Sequence, residues 1–502
     1  MEKEADIIDI AKRRGFFWQS SHIYRSVAGF YDYGHIGTLV KRKFENIWRS
    51  YFLGLDDNFY EIQSSLLMPE EVFKASGHLE SFVDPIVKCG KCGNVERADH
   101  ILESELKETF EGLSPADLMG LIKKHGIKCS KCKGNLESAG ELNMMFPVNV
   151  GTGKEIRKVY LTPETAQGAY VNFRQMFEVL RKKLPLGLAV IGKAFRNEIS
   201  PRQTLIRMRE FTQAELQMFF DPDKINEHPD FKSVESYKIR IFSVKNRAKN
   251  KIEEISCNDV LKLGLPKFYV YYMAKIQKFY LDVLKIPRES FRFKELSEEE
   301  RAFYNKCHWD VEIDLKSVGG WKEIAGLHYR TDHDLKNHQK ISGQSMEVNI
   351  EGRKFIPHVL EISMGVDRNL YALFELALVE EKERVVLRFP GIVSPYDAGI
   401  FPLVNKDGLQ ERAKEIQKSL KENGFLAFYD ESGSIGRRYR RMDEIGVLIS
   451  ITCDYQTLED NTVTLRDRDS MKQIRVKVSG LAETLRIFLE GEKLEKLGKF
   501  IN

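Results

Sequence analysis

Apolar positions change their period several times along the chain, and the changes divide it into segments. Up to about residue 85, aromatics and glycine (GFYDYGHIG) precede the run LVKRKFENIWRSYF. There Leu39, Phe44, Ile47, Trp48, Tyr51 and Phe52 fall at helical spacing, which predicts an amphipathic helix. Residues 86–141 hold a charged, helically patterned stretch, ILESELKETFEGLSPADLMGLIKKHG, between two pairs of cysteines, and read as an inserted module. Strand-like segments return over 142–221 in NMMFPVNV, LAVIGKAFRNE and RMREFTQAELQMFF. Residues 222–306 are polar and basic, with helical patterns in KIRIFSVKNRAKNK and FYVYYMAKIQKFYLDVLKI, and read as a second, helical basic insertion. Strands resume over 307–391 in WDVEIDL and GWKEIAGLHY, and VLEISMGVDRNLYALFELALVEE predicts a strand that turns through Gly365 into an apolar helix. Pro390 and Pro395 mark a linker. From 392 to 502, AGIFPLV, LQERAKEIQKSLKEN, FLAFYD, a second helix, VLISIT and TVTLRD alternate strand with helix, as in a compact α/β domain. No internal repeat interrupts this order.

The length, 502 residues, allows about three domains. With 42% hydrophobic and 30% charged residues there is apolar material for full cores, which excludes a disordered or collagen-like chain. No apolar run approaches the roughly 18 residues that span a bilayer, and MEKEADIIDIAKRRGFF lacks the apolar core of a signal peptide. The expectation is a soluble, cytoplasmic protein without a membrane partner. A net charge of +4 does not by itself indicate nucleic-acid binding, so any basic surface is local.

Four of the seven cysteines form two Cys-x2-Cys pairs, Cys89/Cys92 and Cys129/Cys132, each followed by glycine turns (CGKCGN, CSKCKGN). Two such knuckles supply four thiolates to tetrahedral Zn²⁺, and nothing suggests an open ligand position, so the predicted site is structural.

In AFRNEISPRQTLIRMREFTQAELQMFF, Arg196 and Glu198 are expected on one strand and one face, Glu210 and Glu215 on the returning run, and Arg202, Arg207 and Arg209 between them. Such a hairpin can clamp a triphosphate and read an amine or adenine edge. A salt-bridged surface hairpin is the bland alternative. A second run, HVLEISMGVDRNLYALFE, sets Glu361, Ser363 and Arg368 where a strand passes through glycine into an apolar helix, and charge at that apolar start needs a partner.

Together the two runs resemble motifs 2 and 3 of the class II aminoacyl-tRNA synthetases, with motif 1 expected around EIQSSLLMPEEVFKASGH and its proline at Pro69. Within that class the resemblance is to glycyl-tRNA synthetases of the archaeal and eukaryotic homodimeric type. It rests on GFYDYGHIG, MPEEVFKASGH, RADH, PETAQG, FRNEISPR, MREFTQAE, GWKEIAG, PHVLEISMGVDR, LVNKDGL, GRRYRRMDEIG and VTLRDRD, in family order over nearly the whole chain. It implies an α+β fold: an antiparallel, seven-stranded-type catalytic core (1–85 with motif 1, 142–221 with motif 2, 307–391 with motif 3). The core is interrupted by a zinc-binding insertion (86–141) and the basic insertion (222–306), and is followed by an α/β anticodon-binding domain (392–502).

The resemblance further implies ATP-dependent activation of glycine and its transfer to the 3′ end of tRNA(Gly), by a homodimer. Arg196, Glu198 and Arg368 are carried over as the catalytic set: Arg196 on the α-phosphate, Glu198 on the adenine amine, Arg368 on the other adenine face and the distal phosphates. Phe211 would stack on adenine, and Glu323 would be the acid beside ATP and Mg²⁺. The ATP site would also draw on Asn197, Ile206, Arg207, Met208, Arg209, Glu210, Ile324, Gly365, Val366 and Asp367. Glu164, Glu215, Glu361 and Ser363 match residues around the glycine ammonium. Arg97, Thr212, Gln213, Ala214, Arg330, Ile362 and Met364, with Phe211 and Gly365, complete the implied glycine site. Arg437, Arg438, Arg440 and Arg441, with the basic residues of KIRIFSVKNRAKNK and of 262–294, are candidate tRNA contacts. Three positions depart from the family pattern: Thr162 stands for arginine, His328 for a small residue and Ile362 for proline. Two rivals keep this domain plan: a class II synthetase for another amino acid, and a non-catalytic nucleic-acid-binding relative. The PETAQG segment and the three glutamates speak against the first, and Arg196, Glu198 and Arg368 against the second.

Overall fold

The computed structural model describes residues 2–106, 110, 113–199, 201, 203–301 and 305–501, with side chains from residue 7 onward. Arg202 lies outside the described residues. Among the described residues nine strands form the central sheet: β1 (Phe59–Glu61), β2 (Leu186–Phe195), β3 (Glu210–Phe220), β4 (Lys238–Phe242), β5 (Glu253–Ser256), β6 (Phe291–Glu295), β7 (Cys307–Leu315), β8 (Gly320–Thr331) and β9 (His358–Gly365), in the order β5-β4-β6-β7-β8-β9-β3-β2-β1. Neighbours run antiparallel except β1 with β2 and β4 with β6.

Two expectations are corrected here. The sheet has nine strands, not seven, and the stretch 222–306 is not a purely helical insertion, since it adds β4, β5 and β6 to one edge. The cause is legible in KIRIF: Ile239 and Ile241 are buried while Lys238 and Arg240 alternate with them, a period of two in a short β-branched run. FYVYYMAKIQK does form a helix, Lys267–Lys278.

Alternation also gives the sheet two different faces. Leu186, Leu188, Phe219 and Val359 pack under the helix Ala166–Val179. Their neighbours Ala189, Leu216, Met218, Leu360, Ile362 and Met364 join the main core on the other side, which includes the helices His35–Phe52 and Val366–Ala377. The first of these is the amphipathic run read from the sequence, and it buries Val40, Phe44, Trp48 and Phe52. Each such side chain contributes about 1.5–3 kcal/mol of burial. Over the middle of β3 and β9 the first face turns polar, with Gln213, Glu215, Glu361 and Ser363, and there a cavity lies.

The cysteine pairs sit in a module with its own small core of Val87, Ile101, Leu102, Leu118 and Ile122. Its three strands are Val83–Cys89, Val95–Arg97 and Leu136–Asn143. The described residues of the charged stretch between the pairs include two helices, Ala98–Leu106 and Pro115–Lys124. The second is capped by Ser114, whose Oγ accepts from the Asp117 amide at 3.2 Å.

A six-stranded sheet near the C-terminus has a core including Ile400, Ile416, Leu420, Ile451 and Leu465. The segment around Pro390 and Pro395, expected as a linker, is fastened instead. Phe389 and Val393 share the main core with Met442, Ile445 and Val447. Arg384 Nη1 donates to Asp443 Oδ2 at 2.9 Å, and Arg468 Nη1 donates to the carbonyls of Phe389 and Gly446, both at 3.0 Å. Breaking buried charge networks of this kind costs several kcal/mol, so this boundary is not a loose tether.

Candidate active site

A cavity of about 280 Å³ opens on the polar face of β8, β9 and β3. Its acidic end is set by strand register. Glu215 on β3 faces Ser363 on β9, which faces Gly326 on β8; Gln217 faces Glu361, which faces His328. Ser363 Oγ and Thr165 Oγ1 each donate to Glu215 at 2.6 Å. Gln217 Nε2 donates to Glu361 Oε2 at 2.8 Å and Arg330 Nη1 to the same oxygen at 3.0 Å. Arg330 is held from behind by Asp334, with Nε to Oδ2 at 2.8 Å and Nη2 to Oδ1 at 3.0 Å. Glu164, in the turn that leads into the helix Ala166–Val179, has its Oε1 3.7 Å from Arg330 Nη2 and its Oε2 3.6 Å from His78 Nε2.

Around one buried guanidinium this end thus gathers Glu164, Glu361 and Asp334, and Glu215 lies within reach of the charges of Glu361 and Glu164. Burial, then the charges of Glu361 and Glu164, push the Glu215 carboxyl up to about 8 against its two hydroxyl hydrogen bonds. Burial also raises Glu361, against the pull of Arg330. Burial acts the same way on Glu164, but there His78 and Arg330 prevail and hold it well below the usual carboxylate range. A buried site with carboxylates in excess is built for a cation.

The other end of the cavity is lined by guanidinium groups. Arg196 and Glu198 lie just past the end of β2 and not on it as expected; Arg196 still pairs through its amide with the Arg209 carbonyl at 2.9 Å. The Arg196 guanidinium sits between two rings, 5.3 Å from the centre of Phe211 and 5.4 Å from that of Phe82, and its Nε donates to the Pro163 carbonyl at 3.0 Å. Arg207 donates from Nε to Glu198 Oε2 at 2.7 Å. Arg368, in the first turn of the helix that follows β9, pairs through Nη1 with Glu323 Oε1 at 3.1 Å. Asp367 lies beneath: it accepts from Tyr33 Oη and from the Thr212 amide, and its Oδ1 sits 3.2 Å from Lys41 Nζ. Burial raises this carboxyl, and Lys41 with these donors more than offsets it, so it is held low.

Of the residues implied by the resemblance, Glu164, Arg196, Glu198, Ile206, Arg207, Met208, Phe211, Thr212, Gln213, Glu215, Glu323, Ile324, Arg330, Glu361, Ser363, Gly365, Asp367 and Arg368 line the cavity. Others do not. Ala214, Ile362, Met364 and Val366 point into the main core, because alternation and the helix start turn them away. Glu210 is paired with Lys193 at 2.9 Å, and the Asn197 amide donates to the Met144 carbonyl at 2.8 Å. Arg209 is spent on the carbonyls of Glu198 and Ala28, both at 2.9 Å. Arg97 pairs with Asp99 and, at 3.0 Å, with Asp84, next to the cavity and not in its wall.

Several neighbours escape a reading of the sequence. Gln217 is found by counting two from Glu215, and Asp334 by counting four from Arg330. His78, Thr165 and Tyr170 carry no separate signal, since only folding brings them to the glutamates. Of the three departures from the family pattern, His328 alone puts its side chain into the cavity. Thr162 is buried and donates to the Glu164 carbonyl, while Ile362 is in the core.

The four thiols of the module converge: Cys89 and Cys132 sulfurs lie 3.5 Å apart, Cys92 and Cys129 sulfurs 3.7 Å, and all four fall within 4.8 Å of one another. A tetrahedron with zinc–sulfur bonds of about 2.3 Å has edges of about 3.8 Å, so the donor set fits that ion. The knuckles repeat each other, with Cys89 and Cys129 amides donating to the Asn94 and Gly134 carbonyls.

The arginines expected as tRNA contacts divide. Arg438 is buried and donates to the carbonyls of Pro402, Glu431 and Gly433, so it supports the fold and cannot reach a phosphate. Arg437 is exposed, Arg441 pairs with Asp430, and Arg440 lies 3.8 Å from Glu383. In the middle stretch many guanidinium groups are likewise engaged, as Arg240 and Arg288 with Glu254 and Arg247 with Glu300.

Comparison with known proteins shows the family and the fold. Residues 150–377 match the family described as tRNA synthetase class II core domain (G, H, P, S and T), and residues 397–487 match the anticodon binding domain family. The chain is 39% identical to a glycine–tRNA ligase of Thermococcus sibiricus, over 98% of this chain and 99% of that one. It is also 39% identical to one of Aeropyrum pernix, over 98% of each. Among solved structures, a threonyl-tRNA synthetase RNA-binding-domain structure from Cryptosporidium parvum superposes with a TM-score of 0.59 at 16% identity, covering 96% of this chain and 97% of that chain. A prolyl-tRNA synthetase from the same organism gives 0.56 at 13%, covering 98% and 76%. At such identities these two speak for the fold alone.

Proposed function

The chain belongs to the glycine–tRNA ligase family of class II aminoacyl-tRNA synthetases, and from that premise we propose how its cavity activates glycine with ATP and passes it to tRNA(Gly). The observation that carries the reading is the excess of buried carboxylate around Arg330. The ammonium of glycine supplies the missing positive charge among Glu164, Glu215 and Glu361, beside Ser363. Its carboxylate then points toward the arginine end.

There Arg196 holds the α-phosphate of ATP, Glu198 accepts from the adenine amine, Phe211 stacks on the base, and Arg368 covers its other face and the distal phosphates. One glycine carboxylate oxygen attacks the α-phosphorus, the bond to the bridging oxygen breaks, and pyrophosphate leaves with that electron pair. Fixed guanidinium groups stabilise the growing negative charge, chiefly by position and electrostatics, so no nucleophilic side chain is required. In the second step the terminal ribose hydroxyl of tRNA attacks the glycyl carbonyl and AMP departs. Glu323 is the residue that would hold magnesium arriving with the triphosphate, where the ion would neutralise phosphate oxygens. Cys89, Cys92, Cys129 and Cys132 would hold one structural zinc. Exposed arginines of the C-terminal domain, led by Arg437, contact tRNA phosphates, and the enzyme works as a cytoplasmic homodimer.

Exchange of labelled pyrophosphate into ATP, driven by each of several amino acids, tests the reading. Glycine alone should drive it. Exchange driven by threonine, proline or histidine in place of glycine would reassign the substrate, and none with any amino acid would make the chain a non-catalytic relative.

A further inference from the structure

Resting on the reading of the acidic end as the ammonium site, we infer that His328 is a specificity-determining wall of that site. Its imidazole, laid over Gly326 and backed by His308, fills the space that a substrate β-carbon would need.

The geometry follows from β7, β8 and β9. Residues 326 and 328 project from the same face of β8 because strand side chains alternate. A Cβ placed on Gly326 would come within 2.4 Å of His328 Nε2 and 3.1 Å of its Cε1. The ring therefore occupies the place where a side chain at 326 would stand. Position 326 faces Ser363, the residue whose hydroxyl donates to Glu215. Facing residues of adjacent antiparallel strands have Cα atoms about 4.5–5.5 Å apart, so the imidazole lies beside the Ser363–Glu215 pair. Its Nε2 is also 3.7 Å from Glu361 Oε1, so it touches the border between two of the three ammonium-facing glutamates. Glycine at 326 makes room for the ring, and the ring then takes room from the substrate.

A wall must resist being pushed. His308 on β7 faces His328 on β8, and their ring centres are 4.0 Å apart at 47°. His308 leans the same way as its partner, with Nε2 2.9 Å from Asp310 Oδ1, and Asp310 faces Gly326. Displacing His328 from the cavity would drive it into this second ring, and packed interiors accept such overpacking poorly. Burial, then the nearby His308 and Arg330, hold the His328 imidazole well below its usual pKa. It is neutral and adds volume without repelling an ammonium.

The test compares His328→Ala with wild type in pyrophosphate exchange driven by glycine, alanine and serine. Removing the ring should raise the alanine-to-glycine ratio of kcat/KM about tenfold or more, since one methylene-sized discrimination spans roughly 10- to 200-fold. His328→Asn, which keeps part of the volume, should fall between. An unchanged ratio in a variant that still uses glycine overturns the inference. Weakened but still measurable glycine use with no gain for alanine overturns it as well, since His328 would then hold the ammonium and not exclude a side chain. Should His328→Ala lose all exchange, thermal protection decides: protection by alanine absent in wild type supports the wall, and no protection by alanine overturns it. Failure of the wild-type enzyme to use glycine would instead strike the parent reading, whatever the variants do.

Discussion

At the acidic end of the cavity Glu215, Ser363, Glu361 and His328 rise from paired strand positions, Arg330 from the bulge beside them on β8, and Glu164 from the turn into a helix. At the arginine end they come from beyond a strand end (Arg196, Glu198), from a loop (Arg207) and from a helix start (Arg368). The difference matches the two tasks. Glycine offers a charge and almost no surface, so discrimination must come from a rigid, correctly spaced frame, which a sheet supplies. A triphosphate offers many oxygens, so guanidinium groups on long side chains can close on it. Those groups are already satisfied internally, by Glu198, Glu323 and the Pro163 carbonyl, and in the role proposed for them ATP would take the place of these partners.

The arginine end should break first and most deeply. Arg196→Ala should lower glycine-dependent pyrophosphate exchange about 10²- to 10³-fold, the usual loss when one fixed donor to a developing charge is removed. Thermal unfolding should hardly change, because the side chain leans on a backbone carbonyl and two rings. Exchange within tenfold of wild type would move the phosphate site elsewhere.

Glu361→Gln breaks the acidic end. It keeps the shape but removes one of the charges at the proposed ammonium site, and hydrogen bonds to charged groups are worth about 1.5–3 kcal/mol. The KM for glycine should rise about 10- to 100-fold while that for ATP stays within a few-fold. Equal losses would mean that Glu361 shapes the whole cavity through Arg330.

This contrast also explains which parts of the site are legible in the sequence. Strand periodicity in TQAELQ and LEISMG is enough to put Glu215, Glu361 and Ser363 on one face, and the fastening of Arg330 by Asp334 is within counting distance. The same periodicity removes Ala214, Ile362 and Met364 from the site, since it points them to the core, although the family resemblance suggests otherwise. What escapes depends on chain segments far apart: His78 beside Glu164, and Lys41 and Tyr33 on Asp367. Charge pattern misleads at Arg438, because an arginine satisfied by three carbonyls looks in sequence like one facing solvent. It misleads again in KIRIF, where basic residues hide a strand.

The acidic end should also show itself by protons. Glu215 titrates near 8 in the free protein against an ordinary 4.5, so its contribution to stability is complete below about 4.5 and is lost as pH rises through about 8. An ammonium beside it favours the charged form, so glycine binding should release close to one proton at pH 7. Affinity should rise about fivefold between pH 7 and pH 8, as the ionised fraction goes from about one-eleventh to one-half, and then level off. Calorimetry in buffers of different ionisation enthalpy measures the release. Zero protons, with a flat affinity, would show that the glutamates are already ionised in the free site.

The last expected effect sharpens the comparison from outside the cavity. The strand Val83–Cys89 carries Asp84 five residues before its terminal cysteine, and Asp84 binds Arg97 at 3.0 Å and lies 3.8 Å from Arg207. His100, in the helix that follows Arg97, brings its Nδ1 to 3.3 Å from Arg207 Nη1. The cysteine module therefore abuts the arginine end through Arg207, and none of these contacts reaches Glu215 or Glu361. Removing zinc with a chelator, or replacing Cys132 with serine, should loosen both knuckles and with them this support, because binding energy at a structural metal site is folding energy. Losing one charge-assisted contact of this kind costs about 1–2 kcal/mol. The KM for ATP should then rise roughly 5- to 20-fold while that for glycine stays within twofold, with the metal content falling from one per chain and an added low-temperature unfolding step. If both constants rise together, the module supports the whole core. If neither moves although the metal is gone, Arg207 is positioned by Glu198 alone and the two ends of the cavity are more independent than their geometry implies.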